Sequence, residues 1–436
     1  MSPELALSVL LLGFAVLFSL GVPLAFSLLF ASLSVIAADP DLDLVIMPLR
    51  LYSGLDSFLL VAIPGFMFAA FMMNRVGVTE DIVALSDLLV GRIKGGLAHI
   101  NVVASMLMGG VSGSSTADVA GVGAILIPTM NKKGYDRGFS ASLTAASSAI
   151  GSVIPPSILM VIYGATANVS VGALFIAGYV PGILVGLQQL ILAYLYARRA
   201  GIGGEVQERS AREIGIILLK GFVPLSVMVI IIGGIVTGVM TATESAAVAS
   251  VYVVVVGAAF YRNVTVPMIL EVAAETARLT AVVMLCVATA TLFGWLMSFY
   301  DILGVAGDLF QRFASDPLVF MGFATVLFLV LGTFMDPAPA MLIFVPVMAP
   351  IAIGIGVEPL QLGILVIMAL AIGKITPPYG ISLLLACTIA EIPLSRSLKW
   401  TLAFFGAFCA LMVVLIVWSD VTLFLPRLMV PDMMGK

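Results

Sequence analysis

Two segments 222 residues apart carry the same interruption. Ala149-Ile150-Gly151-Ser152-Val153-Ile154-Pro155-Pro156 and Ala371-Ile372-Gly373-Lys374-Ile375-Thr376-Pro377-Pro378 each place Gly-x-x-x-Pro-Pro inside an apolar stretch. Proline has no amide donor and pushes the residue before it out of helical geometry, so each run unwinds a helix and frees backbone carbonyls. In a lipid phase such groups are tolerated only where they line a cavity or meet an ion.

The lipid phase follows from composition. Of 436 residues, 61% are hydrophobic and 10% charged, against about 45–50% apolar in soluble domains. The chain therefore reads as an all-α polytopic membrane protein. Runs long enough to span a bilayer fall at 5–20, 22–37, 58–76, 138–165 and 172–197 in one half, and at 214–236, 241–261, 280–300, 358–387 and 400–425 in the other. Two more stretches, 96–130 and 318–352, carry Gly109, Gly110 and Gly113, or Gly332 and Pro337, near their centres. They are expected to be re-entrant hairpins. The stretch from Met1 to Ala37 has no basic region and no cleavage site, so it reads as membrane-spanning rather than a signal peptide. Cys286, Cys387 and Cys409 lie unpaired in apolar segments and read as small core residues. The net charge of −4 says nothing about partners.

Basic residues orient the layout. Thirteen of the twenty Lys and Arg (Arg92, Lys94, Lys132, Lys133, Arg137, Arg198, Arg199, Arg209, Arg212, Lys220, Arg262, Arg396, Lys399) fall in one set of loops. The opposite loops hold Arg50, Arg312, Arg427 and Lys436, with Asp39, Asp41, Asp43, Asp301, Asp308 and Asp316. The positive-inside rule puts the first set in the cytoplasm and both termini outside. With five spans per half, the second half is inserted upside down.

The repeat extends beyond the two breaks. At the same offset Gly110 falls on Gly332, Pro128 on Pro350, Gly134 on Gly356, Leu143 on Leu365 and Ser114 on Asp336. The expected division is a first inverted repeat over 1–200, a cytoplasmic linker over 201–213 and a second repeat over 214–436. Stretches 79–95 and 265–279 mix charge with apolar residues at helical spacing and read as interfacial amphipathic helices. Inverted repeats with paired broken helices are the pattern of secondary transporters, with substrate and ions held near the midplane.

Several residues could carry that chemistry. Gly109 to Asp118, with Ser112, Ser114, Ser115 and Thr116, gathers glycines and small oxygen-bearing side chains at a hairpin tip. A hard cation such as Na⁺ wants such oxygens, although small residues also serve close helix packing. Asp118 and Asp336 are carboxylates where charge is costly; Asp336, before Pro337, could equally cap a helix. Lys374 could attract a carboxylate substrate, pair with Asp336 or snorkel to solvent. Glu244 reads as a helix cap and His99, the only histidine, as structural. Gly110-Val111-Ser112-Gly113 also fits an intramembrane serine protease, with His99 as the only candidate base. No zinc, P-loop or dinucleotide motif is present.

With these residues laid out, the chain resembles the large membrane subunit of tripartite ATP-independent periplasmic (TRAP) transporters, the DctM or SiaM type, over essentially its whole length. The resemblance rests on Gly-Val-Ser-Gly-Ser-Ser-Thr-Ala-Asp (110–118), Gly-Ser-Val-Ile-Pro-Pro-Ser (151–157), Met-Asp-Pro (335–337) and Gly-Lys-Ile-Thr-Pro-Pro (373–378). It implies an ion-transporter fold of elevator type in the bacterial inner membrane and Na⁺-coupled import of an organic acid such as a C4-dicarboxylate or sialic acid. It also implies a DctP-type periplasmic binding protein and a separate DctQ-type four-span subunit. One implied Na⁺ site comprises Gly109, Ser112, Gly151, Ile154 and Pro155; the other comprises Gly332, Gly373, Thr376 and Tyr379. Substrate is then expected among Ser114, Ser115, Asp118, Asp336, Lys374 and Thr376. A stand-alone Na⁺/organic anion symporter is the alternative.

Overall fold

The computed structural model describes residues 1–204, 209–300, 316–377 and 379–434, and every regular element among them is helical. The first half comprises α1 (Pro3–Ser19), α2 (Leu24–Ala38), α3 (Ile46–Leu55), α4 (Ala62–Val76, preceded by a 3₁₀ turn from Phe58), α5 (Val78–Val90) and α6 (Gly96–Ser112). Then follow α7 (Ser115–Asp118), a π-helical turn Val119–Gly123, α8 (Ala124–Lys132), α9 (Arg137–Ser148), α10 (Ile158–Ala167) and α11 (Val171–Ala200). The second half holds α12 (Ala211–Val236), α13 (Ala242–Val256), α14 (Val266–Phe299), α15 (Pro317–Phe334), α16 (Pro337–Gly354), α17 (Pro359–Gly373), α18 (Ile381–Ala390), α19 (Leu394–Val417) and α20 (Ser419–Met429).

Local sequence sets these boundaries. Ser210 with Glu213, and Thr241 with Glu244, form reciprocal capping boxes at the starts of α12 and α13, each satisfying two amides that the helix leaves unpaired. Glu244 is thus the cap its position suggested. Gly77, Gly95 and Gly113 have φ of 91°, 75° and 58°, a left-handed geometry that glycine adopts without strain and that stops or redirects a helix.

Among the described residues, eight helices are long and apolar enough to cross a membrane: Phe58–Val76, α11, α12, α13 with its π extension to Tyr261, α14, α15, α16 and α19. The first two expected spans, α1 and α2, have 17 and 15 residues, about 25 and 22 Å at 1.5 Å per residue. α15 and α16, expected as the arms of a hairpin, have 18 each.

Two expectations change. The interfacial helix expected at 265–279 is continuous with the span at 280–300: α14 is one helix of 34 residues. No Gly or Pro stands between Pro267 and Gly294, and Arg75 at the end of α4 pairs with Glu271 and Glu275, 3.5 and 3.8 Å away, on successive turns of its first part. The span expected at 400–425 is α19, which ends at Val417; Trp418 is non-helical (φ −113°, ψ 85°) and α20 follows as a separate amphipathic helix braced by an Asp420–Arg427 ion pair. Helix α3 was not foreseen. Asp301, Asp308, Arg312, Pro378, Lys436 and linker residues 205–208, named above, lie outside the described residues.

The core sits on the two breaks. Every residue of α9 after Arg137, and every residue of α17 after Pro359, is buried, whereas α12 and α19 keep much of their surface exposed. α9 packs against α6, α18 and α19, and α17 packs against α15 and α16. Asp136 anchors this body: its Oδ1 accepts from Phe139 N at 2.9 Å and from Trp400 Nε1 at 3.0 Å, while its amide donates to Tyr196 Oη at 2.9 Å. Asp136→Ala removes a helix cap, typically about 1 kcal/mol, and strands the indole N–H. The expected outcome is a clearly lowered midpoint of thermal unfolding in detergent; an unchanged midpoint refutes the anchoring role.

Candidate functional site

At the first break, α9 tightens into a 3₁₀ turn at Ala149–Ser152 and resumes as α10 at Ile158. The end of α6 lies directly on this turn. A Cβ placed on Gly109 would stand 2.8 Å from Gly151 Cα, and one on Gly113 would stand 2.8 Å from the Pro156 carbonyl oxygen. Only glycine permits such backbone approach. Across the gap Ser115 Oγ meets Ser152 Oγ at 2.7 Å, and Ser157 Oγ donates to the Ser152 carbonyl at 2.7 Å. Ser112 is 2% exposed and lines a cavity of about 10 Å³ with Gly113, Pro156 and Ser157, about the space of one water. Ile154 and Pro155 are buried too. Gly109, Ser112 and Gly151 are therefore brought together, with the carbonyl of Pro155 3.4 Å from a Cβ placed on the adjacent Gly110.

The second break repeats the approach in different chemistry. A Cβ on Gly373 would stand 2.5 Å from the carbonyl carbon of Gly332, and one on Gly332 would stand 2.8 Å from the Leu370 oxygen. Thr376 donates its amide to Gly373 O (2.9 Å) and its hydroxyl to Ile372 O (2.8 Å). Lys374, 7% exposed, points its Nζ at Asp336 Oδ2, 3.6 Å away. Asp336 Oδ1 meanwhile accepts from Ala338 N at 3.2 Å. The cap and the ion pair, posed as alternatives from sequence, are both present. Tyr379 is different: its side chain is 60% exposed beside Phe334, so only its backbone can serve a cation at this break.

The expected substrate residues do not form one set. Asp336, Lys374 and Thr376 gather at the second break. Ser114 is partly exposed and bonded to Thr116 (3.2 Å). Ser115 is 1% exposed and Asp118 fully buried, so neither is presented to a substrate in this conformation. Sequence reasoning also missed a buried polar network on α6 and α9, formed by Asn101, Ser105, Thr144 and Ser147. Its signal was the hydroxyl-rich Ser140-Ala141-Ser142-Leu143-Thr144-Ala145-Ala146-Ser147-Ser148, unusually polar for a wholly buried helix. A cavity of about 800 Å³ between α5, α6, α8 and residues 201–204 carries Glu80 and Asp87 beside Lys133 and lies away from both breaks.

His99 Nδ1 donates to the Gly95 carbonyl oxygen, 3.1 Å away. It is near the start of α6, whereas Ser112 is the last residue of that helix, about 20 Å further along the axis. His99 cannot be the base for Ser112.

An all-helical chain with several candidate membrane spans and two broken helices, each abutted by a helical tip, defines a polytopic membrane transporter. The chain belongs to the DctM family: residues 11–421 match the model of the tripartite ATP-independent periplasmic transporter, DctM component. It is 36% identical to the sialic acid TRAP transporter large permease protein SiaM of Vibrio cholerae, over 94% of this chain and 95% of that one. It is 35% identical to the C4-dicarboxylate TRAP transporter large permease protein DctM of Pseudomonas aeruginosa, over 91% and 92%. Among solved structures it is similar to the YdaH transporter of Alcanivorax borkumensis, with a TM-score of 0.63 at 14% identity, covering 88% of this chain and 90% of that one. That likeness concerns the fold alone.

Proposed function

We propose that the chain is the Na⁺-coupled permease of a system importing an organic acid across a bacterial inner membrane. A binding protein of DctP type would deliver the acid, and a small four-span subunit of DctQ type would accompany the permease. The observation that carries this reading is the pair of close approaches, Gly109 on Gly151 and Gly332 on Gly373. In each, tip and unwound segment approach so closely that a Cβ on Gly109, Gly332 or Gly373 would meet backbone at 2.8 Å or less. Oxygens from tip and break can then share one cation, and the cation joins them; without it, buried carbonyls lose a partner at a cost. Lys374 supplies a buried positive charge for a carboxylate, with Asp336 holding it when no substrate is present. The two tips and α9, α10, α17 and α18 form the moving body, and the two halves are related as inverted repeats. The relatives named above transport sialic acid and C4-dicarboxylates, which supports a small organic acid as substrate class.

Uptake into proteoliposomes is expected to require Na⁺. Replacing it by choline on both sides should abolish accumulation, and equal uptake in choline refutes the coupling. Omitting the binding protein should also abolish uptake; full activity without it would instead favour a stand-alone Na⁺/organic anion symporter.

A further inference from the structure

Beneath the first tip lies a network that neither break uses. Asp118, just before the π-helical turn, has no exposed surface, and neither carboxyl oxygen has a hydrogen-bond partner. Ser105 on α6 faces it but donates to Ser147 Oγ at 3.0 Å. Ser147 donates to Asn101 Oδ1 at 2.9 Å, Asn101 Nδ2 to Thr144 Oγ1 at 2.7 Å, and Thr144 to the Ser140 carbonyl at 2.9 Å. Every proton in this chain points away from Asp118. The Ser105 oxygen is left to accept, and an ionised carboxylate has nothing to donate, whereas a protonated one does.

No neighbouring charge offers an alternative. The elements packed on Asp118 and its π turn are α5, α6, α8, α9, α18 and the 3₁₀ turn of the first break. Their titratable groups are Glu80, Asp81 and Asp87 on α5, His99 on α6, Lys132 and the adjacent Lys133 at the end of α8, Asp136 and Arg137 at the start of α9, and Cys387 with the adjacent Glu391 on α18. None of these is hydrogen-bonded to the Asp118 carboxyl. An ionised carboxylate buried without donor or counter-ion is among the costliest groups a protein can hold. The network is also confined to one half: at the 222-residue offset Asn101, Ser105, Asp118, Thr144 and Ser147 fall on Phe323, Leu327, Ala340, Val366 and Ala369.

We propose that Asp118 is a proton-binding site, a neutral carboxylic acid that donates to Ser105 and heads a one-way hydrogen-bond chain tying the first hairpin to α9. Deprotonation breaks the Asp118 O–H bond and releases the proton to water. Ser105 must then turn to donate to the carboxylate, Ser147 loses the bond it received, and the seam between α6 and α9 loosens. Protonation itself does not depend on the transport reading; its effect on uptake does.

Infrared difference spectroscopy of the full chain in lipid nanodiscs, between acidic and alkaline buffer, reads the proton directly. The wild type should show a protonated-carboxyl carbonyl band that isotopic labelling of aspartate shifts and Asp118→Asn abolishes. Ser105→Ala should keep the band at a changed frequency, which guards against misfolding of the Asn variant. Absence of any aspartate carboxyl band at neutral pH overturns the proposal. So does a carboxylate band at Asp118 that responds to Na⁺ instead, which would make it a metal-cation site. In proteoliposomes, wild-type uptake should fall about tenfold per pH unit above the transition, and this dependence should vanish in Asp118→Asn. A persisting band with no uptake under any condition would refute the transport reading and leave the proton site standing.

Discussion

Gly373→Ala is expected to abolish the proposed Na⁺-driven uptake, and Gly406→Ala to leave it at the wild-type level. The added Cβ at residue 373 would stand 2.5 Å from the Gly332 carbonyl carbon and 2.8 Å from the Thr333 nitrogen, whereas nothing lies within 4 Å of one added at residue 406. Carbon atoms rest about 3.5–4.0 Å apart, so the overlap is about 1 Å or more and falls on backbone that no rotamer change can move. Overpacking of a well-filled interior typically costs about 1–3 kcal/mol, and here the second tip must lift from its break. Gly109→Ala, facing Gly151 Cα at 2.8 Å, should act in the same direction at the first break. Uptake measured beside thermal unfolding tells a lost site from a lost fold. A folded Gly373→Ala protein with normal uptake would show that contact between tip and break is not needed.

Asp336→Asn should destabilise the protein more than Lys374→Met does. The side chain of Lys374 is 8% exposed and that of Asp336 55%, so removing the acid leaves a buried ammonium without its counter-charge. Removing the lysine leaves a carboxylate that water can reach. Breaking a buried pair from one side typically costs about 3–5 kcal/mol; solvent screening at the aspartate reduces the expected loss to about 1–3 kcal/mol. The double variant should recover most of the stability and none of the uptake, because the charge proposed to meet the organic anion is gone. Equal stability for Asp336→Asn and the double variant would show that the pair is not coupled. Lys374→Leu with normal uptake would remove the lysine from the site.

The breaks and tips were legible in the sequence because Gly and Pro punctuate a helix locally. Gly113, Pro155, Pro156 and Asp336-Pro337 each act through their own backbone, and helix ends near them could be read to within a few residues. The continuity of α14 was not legible. Glu271, Glu275 and Arg278 suggested a surface helix, and the residue that takes up the first two, Arg75, is some two hundred positions away in sequence. The place of Asp118 was hidden for a similar reason. A short motif rich in Ser and Thr shows that oxygens gather at a tip, but not which of them the next helix covers. Its burial depends on α9, whose hydroxyl-bearing residues reach α6 from more than twenty positions downstream.

α14 also bears on mechanics. Thirty-four residues of uninterrupted helix make a rod of about 51 Å, well beyond the roughly 30 Å hydrocarbon layer. Its counterpart at the 222-residue offset is divided into α3 and α4 by Asp56 and Ser57, with α3 clamped to the rod where a Cβ on Gly54 would stand 2.5 Å from Thr291 Oγ1. One half of the molecule thus has a stiff strut where the other has an elbow. In the proposed motion, a force on the tips and breaks would be transmitted whole along one side and bent at Asp56 on the other, so the stroke would not be symmetric.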